Sequence, residues 1–125
     1  MTAYLDLDDV MLLAGRVIEG EVKVRDAGLL SSALHRPQTI AFGVEVYPTL
    51  AEKAGALLHS LVMNHALVDG NKRLGWAATL VFCDINGCEI DMSEDSAYLF
   101  VMSVAGGALD AQAIAAELRS CGVGP

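Results

Sequence analysis

Thr49-Leu-Ala-Glu-Lys-Ala-Gly-Ala-Leu-Leu-His-Ser-Leu-Val-Met-Asn-His65 opens on a capping signal and runs on as an apolar helix. The Thr49 hydroxyl can accept the backbone N–H three residues on, and Glu52 can reach back to the Thr49 N–H. Leu50, Ala54, Leu57, Leu58, Leu61 and Val62 then recur on more than one side of the helix. A helix apolar on several faces has to be surrounded, so this segment is expected to form the buried centre of the domain, ending near His65.

Helical periods also dominate on either side of it. Leu7, Val10, Met11, Ala14, Val17 and Ile18 share one face of a helix over about residues 6–19, with Asp6 as its cap. A charged link, residues 20–25, leads to a short helix over about 26–35, which Pro37 stops. Residues 38–48 break the period: Gly43, the alternating Val44-Glu45-Val46-Tyr47 and Pro48 suggest an extended flap or minimal hairpin. After the central helix and a loop over 66–70, a further helix is expected from Asn71 to about Asn86, with Gly87 just past its end. Ser93 and Asp110 are N-caps for two more helices, separated by Gly106-Gly107. The expectation is a single all-α domain spanning residues 1–125, about six helices with one extended flap before the central one.

Composition narrows the function. A net charge of −8 works against direct contact with nucleic acid. The chain is 54% hydrophobic, yet its longest charge-free stretches, residues 54–68 and 96–109, fall short of the roughly 18 apolar residues that span a membrane. Neither a basic n-region nor an apolar h-region opens the chain, so no signal peptide is read and a cytoplasmic location is expected. The apolar surplus suggests a surface that a partner covers, or simply an Ala-rich core. Cys83, Cys88 and Cys121, odd in number and without CxxC spacing, read as reduced structural thiols. With His35, His59 and His65 scattered, zinc is rejected.

The chemistry gathers immediately after the central helix, in His65-Ala-Leu-Val-Asp-Gly-Asn-Lys-Arg73. An imidazole can take a proton from a hydroxyl and a carboxylate can hold Mg²⁺. The first amides of the Asn71 helix lack intrahelical partners, and Gly70 can turn them toward one anion. Arg73 can fork onto phosphate oxygens, and Lys72 adds a point charge. As a bare pattern this equally describes a solvated Asp-Gly turn before a basic helix start. Two cations at a helix N-terminus nevertheless oppose the macrodipole, which hints at a compensating anion. His59 reads as structural and His35 as the cap of its helix end. Trp76, Phe82 and the run Tyr98-Leu-Phe-Val-Met102 read as core, and residues 89–95 as a solvated charged face.

These nine residues resemble the HxFx(D/N)(A/G)NKR motif of the death-on-curing branch of the Fic (Fido) superfamily. Arg36-Pro37-Gln38, the flap end Tyr47-Pro48-Thr49, the helix start Ala51-Glu52-Lys53-Ala54 and Asn86-Gly87 extend the resemblance to about residues 5–118. It implies a helical Fic core and the toxin of a type II toxin–antitoxin pair, using ATP and Mg²⁺. His65 would be the catalytic base and Asp69 the metal ligand, while Gly70, Asn71, Lys72 and Arg73 would hold the nucleotide phosphates. AMP-transferring relatives carry Gly where this chain has Lys72. In the death-on-curing branch the long cation accompanies an inverted ATP, whose γ-phosphate passes to a threonine of elongation factor Tu and arrests translation. Leu67 stands where Phe is usual, which implies looser packing of the loop. The inhibitory Ser/Thr-x-x-x-Glu-Gly/Asn helix of other Fic proteins is not found: residues 31–35 lack the Glu, and Lys53 occupies its place in 49–53. A Phd-like antitoxin is therefore expected to act in trans. AMP transfer by the same residues, and a non-catalytic role in antitoxin binding, are the competing readings.

Overall fold

Thr49 does cap the central helix: its hydroxyl accepts the Glu52 N–H and donates to the Glu52 carboxylate at 2.8 Å. In the computed structural model, which describes residues 1–124, the elements run in this order. They are α1 (Leu7–Val17), α2 (Ala27–His35), a 3₁₀ turn (Arg36–Gln38), β1 (Ile40–Ala41), β2 (Val44–Glu45), α3 (Leu50–Met63), α4 (Asn71–Ile85), α5 (Glu94–Ala105) and α6 (Ala111–Ser120). The expected six-helix all-α bundle with one flap is the observed architecture. None of these helices is long and apolar enough to cross a membrane.

Helix α3 sits in the middle, touching α2, α4, α5, α6 and the 3₁₀ turn. Ten of its fourteen residues are buried, which is why the sequence shows apolar positions all round it. Gly55 lets α6 come close: a Cβ there would lie 2.7 Å from the Ala111 carbonyl oxygen and 3.1 Å from the Ala115 nitrogen. Gly75 serves the α3–α4 seam in the same way, facing Val62 and Leu58. Tyr4 stacks on Phe82 at 6.0 Å and ties the N-terminal segment to α4. Cys83, on the same helix, is fully buried; burial and the neighbouring Cys88 push its thiol up to about 12.

Side chains cap α1 (Asp6), α5 (Ser93) and α6 (Asp110), as the sequence suggests, and Asp26, read there only as the start of its helix, caps α2. His35 meets the Ser31 carbonyl in the last turn of α2 through Nδ1. Two expectations fail. Helix α3 stops at Met63 rather than His65, because Asn64 is its cap and the chain turns left-handed at His65. In α5, Phe100 and Val101 are buried, but Tyr98 and Leu99 are each 65% exposed and Met102 is also exposed. A single helix packed against α3 and α4 can bury one face only, so an unbroken apolar run must leave part of itself outside.

The flap is a two-stranded hairpin in which Ile40 pairs with Glu45 and Ala41 with Val44. Its tip, Phe42-Gly43, has positive φ at both residues, and Ile40, Phe42 and Val44 are exposed. Its base is anchored by charge. Lys53, 2% exposed, donates to Glu45 at 2.9 Å and to the Tyr47 carbonyl. The Arg36 guanidinium donates to Tyr47 Oη, Ser60 Oγ and His59 Nδ1 at 2.8–3.0 Å. His59 is thus a structural acceptor with its proton on Nε2, since arginine can only donate.

Burial, and after it the Arg36 charge, hold His59 below its ordinary value of 6.5. As pH falls, the unfolded chain takes up this proton first, so stability should decline from about pH 6.5 downward until folded His59 also protonates. His59→Gln keeps an acceptor for Arg36 and should flatten that part of the urea-midpoint-versus-pH curve. An unchanged slope would mean that His59 does not contribute.

Candidate active site

His65, Asp69, Gly70, Asn71, Lys72 and Arg73 line one open cleft of about 580 Å³, together with Ile18, Glu19, Val62, Val68 and Ala105. The folding of the loop explains how residues so near in sequence come to face one space. Leu67 is buried and acts as the plug, filling the place where a larger aromatic is usual in the motif. Asn71 then closes the loop on itself: its Oδ1 accepts the Leu67 N–H and its Nδ2 donates to the Leu67 carbonyl, both at 3.0 Å. Both ends of the Asn71 amide are therefore occupied within the protein. Its part in the cleft is to shape the turn and to offer its backbone N–H.

Gly70 caps α4 at φ 91°, a left-handed conformation that side chains resist. A Cβ there would also come within 2.6–2.7 Å of Ile18, which packs beneath the turn. Helix α4 alone among the six α-helices has no side-chain N-cap. Its first amides, with the partial positive charge of the macrodipole, are left open at the cleft, and exposed Lys72 and Arg73 stand in its first turn. An anion of phosphate type is the chemical complement of this end.

Asp69 Oδ1 accepts the Gly70 N–H at 2.9 Å, which orients the carboxylate and leaves Oδ2 free to meet a cation. Among the described residues no group of three or more His, Cys, Asp or Glu side chains is placed to hold a metal. A cation at Asp69 would therefore take most of its ligands from phosphate oxygens and water, an arrangement that suits Mg²⁺.

His65 is exposed and stands at φ 52°, a region in which non-glycine residues are uncommon though histidine is enriched. Such a conformation costs on the order of 1–3 kcal/mol and persists only where the surroundings impose it. The constraint comes from residues 23–26. The Arg25 and Asp26 N–H groups both donate to the Ala66 carbonyl at 2.8 and 3.0 Å, and the Val68 N–H donates to the Lys23 carbonyl at 2.9 Å. Arg25 Nε donates to the His65 carbonyl at 2.8 Å, with Nη2 reaching the same oxygen.

Arg25, Ile18 and Glu19 are the residues that sequence reasoning misses. Ile18 shows only as part of an amphipathic face, and Arg25 lies in a link that reads as solvated charge. Glu19 and Asp69 also border a second hollow of about 330 Å³ next to the first, with Glu21 and Lys23 on its far side.

Comparison with known proteins gives the family. Residues 4–83, which include every residue of the cleft except Ala105, match the model of the Fic/DOC family. Over 120 residues the chain is 50% identical to the protein named Toxin Doc of Mycolicibacterium smegmatis, an alignment that covers 94% of this chain and 92% of that one. A helical bundle with this cleft, matched along most of its length by family and relative alike, belongs to the Fic/DOC family.

Proposed function

We propose that this chain is the toxin of a toxin–antitoxin module and that it transfers the γ-phosphate of ATP to a protein hydroxyl, with a threonine of elongation factor Tu as the target. The observation that carries the reading is the uncapped N-terminus of α4, which brings Lys72 and Arg73 into the same cleft as His65 and Asp69. The α4 amides and Arg73 would hold the nucleotide phosphates, and Asp69 would hold Mg²⁺, which neutralises phosphate charge when bound. His65 would accept the proton of the attacking hydroxyl. A bond then forms from the hydroxyl oxygen to the γ-phosphorus as the β–γ bridging bond breaks, and ADP leaves.

Lys72 supports phosphate over AMP as the transferred group. An extended cation where AMP-transferring relatives have Gly adds bulk and charge beside the nest, and so favours a different phosphate next to His65. The name of the mycobacterial relative supports the toxin reading. A Phd-like antitoxin bound in trans, in the cytoplasm, would be the natural partner. The exposed Tyr98, Leu99 and Met102 on α5 are in keeping with a surface that a partner covers.

Purified protein is incubated with elongation factor Tu and Mg-ATP labelled at the α- or the γ-phosphate. Label is expected on the factor from γ-labelled ATP only. Transfer of the α label alone would replace the kinase reading with AMP transfer, and transfer of neither would leave an antitoxin-binding protein.

A further inference from the structure

The carbonyl of His65, the residue with left-handed backbone, is met by a side chain that borders neither hollow. Arg25 is absent from the lining of both hollows, so it has no ligand to bind there. It is exposed. Its side chain is directed instead at the main chain: Nε meets the His65 carbonyl at 2.8 Å, and Nη2 adds the same oxygen and, at 3.5 Å, that of Asn64. These are carbonyls at the C-terminal end of α3, where a cation is favoured by the helix dipole.

The conformation of Asn64 shows what the clamp opposes. Asn64 still has helical angles, φ −74° and ψ −18°, and its N–H continues the α3 ladder to Ser60. With nothing to pull on the next carbonyl, the relaxed course for His65 is negative φ, prolonging the last turn of α3. That change would turn the imidazole away from its present direction. The remaining ties from residues 23–26 fall on Ala66 and Val68 and dock the loop, while the Arg25 side chain supplies the contacts to the His65 carbonyl itself.

We propose that Arg25 is a positioning residue for the transfer reaction: by gripping the His65 carbonyl it maintains the left-handed backbone that aims the imidazole into the cleft. This rests on the assignment of His65 as the base. The planar fork is needed because two N–H groups converge on one oxygen; a lysine ammonium offers a single, more mobile point of attachment.

The test compares the parent with Arg25→Ala and Arg25→Lys in two arms. In the kinetic arm, kcat for γ-phosphate transfer should fall about 100-fold in Arg25→Ala, the scale of a misplaced catalytic group. The KM for ATP should stay within about twofold, because the phosphate cradle belongs to α4. Arg25→Lys should recover part of kcat. In the structural arm, a crystal structure of Arg25→Ala should show His65 at negative φ with residues 66–68 still paired to 23–26. An unchanged kcat, or a loss confined to KM, would overturn the proposal. If the parent transfers no phosphate, the functional reading fails while the structural arm still decides the clamp: His65 remaining at positive φ without Arg25 would refute it.

Discussion

His65→Ala is expected to lower phosphate transfer by about 10²- to 10⁴-fold, the usual contribution of a positioned general base. The imidazole is exposed and its ring makes no hydrogen bond among the described residues, so its removal leaves the core and the N-terminal turn of α4 intact. The variant should therefore melt within a few degrees of the parent and bind ATP as well. In cells, growth arrest should disappear while the antitoxin is still captured, because no part of the imidazole is needed for the apolar surface of α5. Should His65→Ala remain as toxic as the parent, the proton acceptor lies elsewhere. Alanine also resists the left-handed region, which gives the substitution a second effect, a relaxed backbone at residue 65. His65→Asn tolerates that conformation better and separates the two: transfer lost equally in both variants points to the imidazole.

Gly55→Ala should destabilise the protein although it adds only a single methyl group. Two effects compete at this site. Alanine is the better helix former by about 1 kcal/mol, which on a solvent-facing turn would make the change favourable. Here the new Cβ would stand 2.7 Å from the Ala111 carbonyl oxygen and 3.1 Å from the Ala115 nitrogen, both of them backbone atoms. No rotamer change can relieve such a contact, so α6 has to shift bodily from α3, spoiling the packing of Ile114, Ala115 and Leu118. Overpacking of this sort typically costs 1–3 kcal/mol, enough to exceed the gain in propensity. Chemical denaturation should show the midpoint falling with the slope little changed. A midpoint equal to or above that of the parent would mean that the α3–α6 seam is more compliant than its geometry implies.

The two predictions also mark what is and is not legible in the sequence. Thr49, Ser93 and Asp110 announce their helices because each cap is local, a side chain serving an amide three residues on. The flap is recognisable from Gly43, the alternation after it and Pro48. The candidate site is readable for a similar reason: His65, Asp69, Gly70, Lys72 and Arg73 lie within nine consecutive residues, so one loop delivers them together. Interactions across long separations leave no such mark. The end of α3 is decided at His65 by an arginine 40 residues upstream, and nothing in the composition of residues 20–25 distinguishes a clamp from a solvated link. Asn71 is placed in the anion nest by its position in the motif, but the pairing of its side-chain amide with Leu67 is not readable from the sequence. In α5 the difficulty is of another kind: apolar side chains at 98–102 carry no label of inside or outside, and only the neighbours of the helix decide it.

The burial of Cys83 has a chemical corollary. A thiol whose pKa is pushed up to about 12 carries roughly one thiolate in 10⁵ molecules at pH 7, and the thiolate is the species that attacks peroxides and disulfides. The Cys83 thiol, in the last turn of α4, is therefore a poor target for oxidants. Cys88 and Cys121, which are only partly covered, remain the places where glutathione or peroxide could leave a mark. Both lie outside the cleft, so oxidation of these thiols would be recorded away from the His65–Arg73 loop rather than within it.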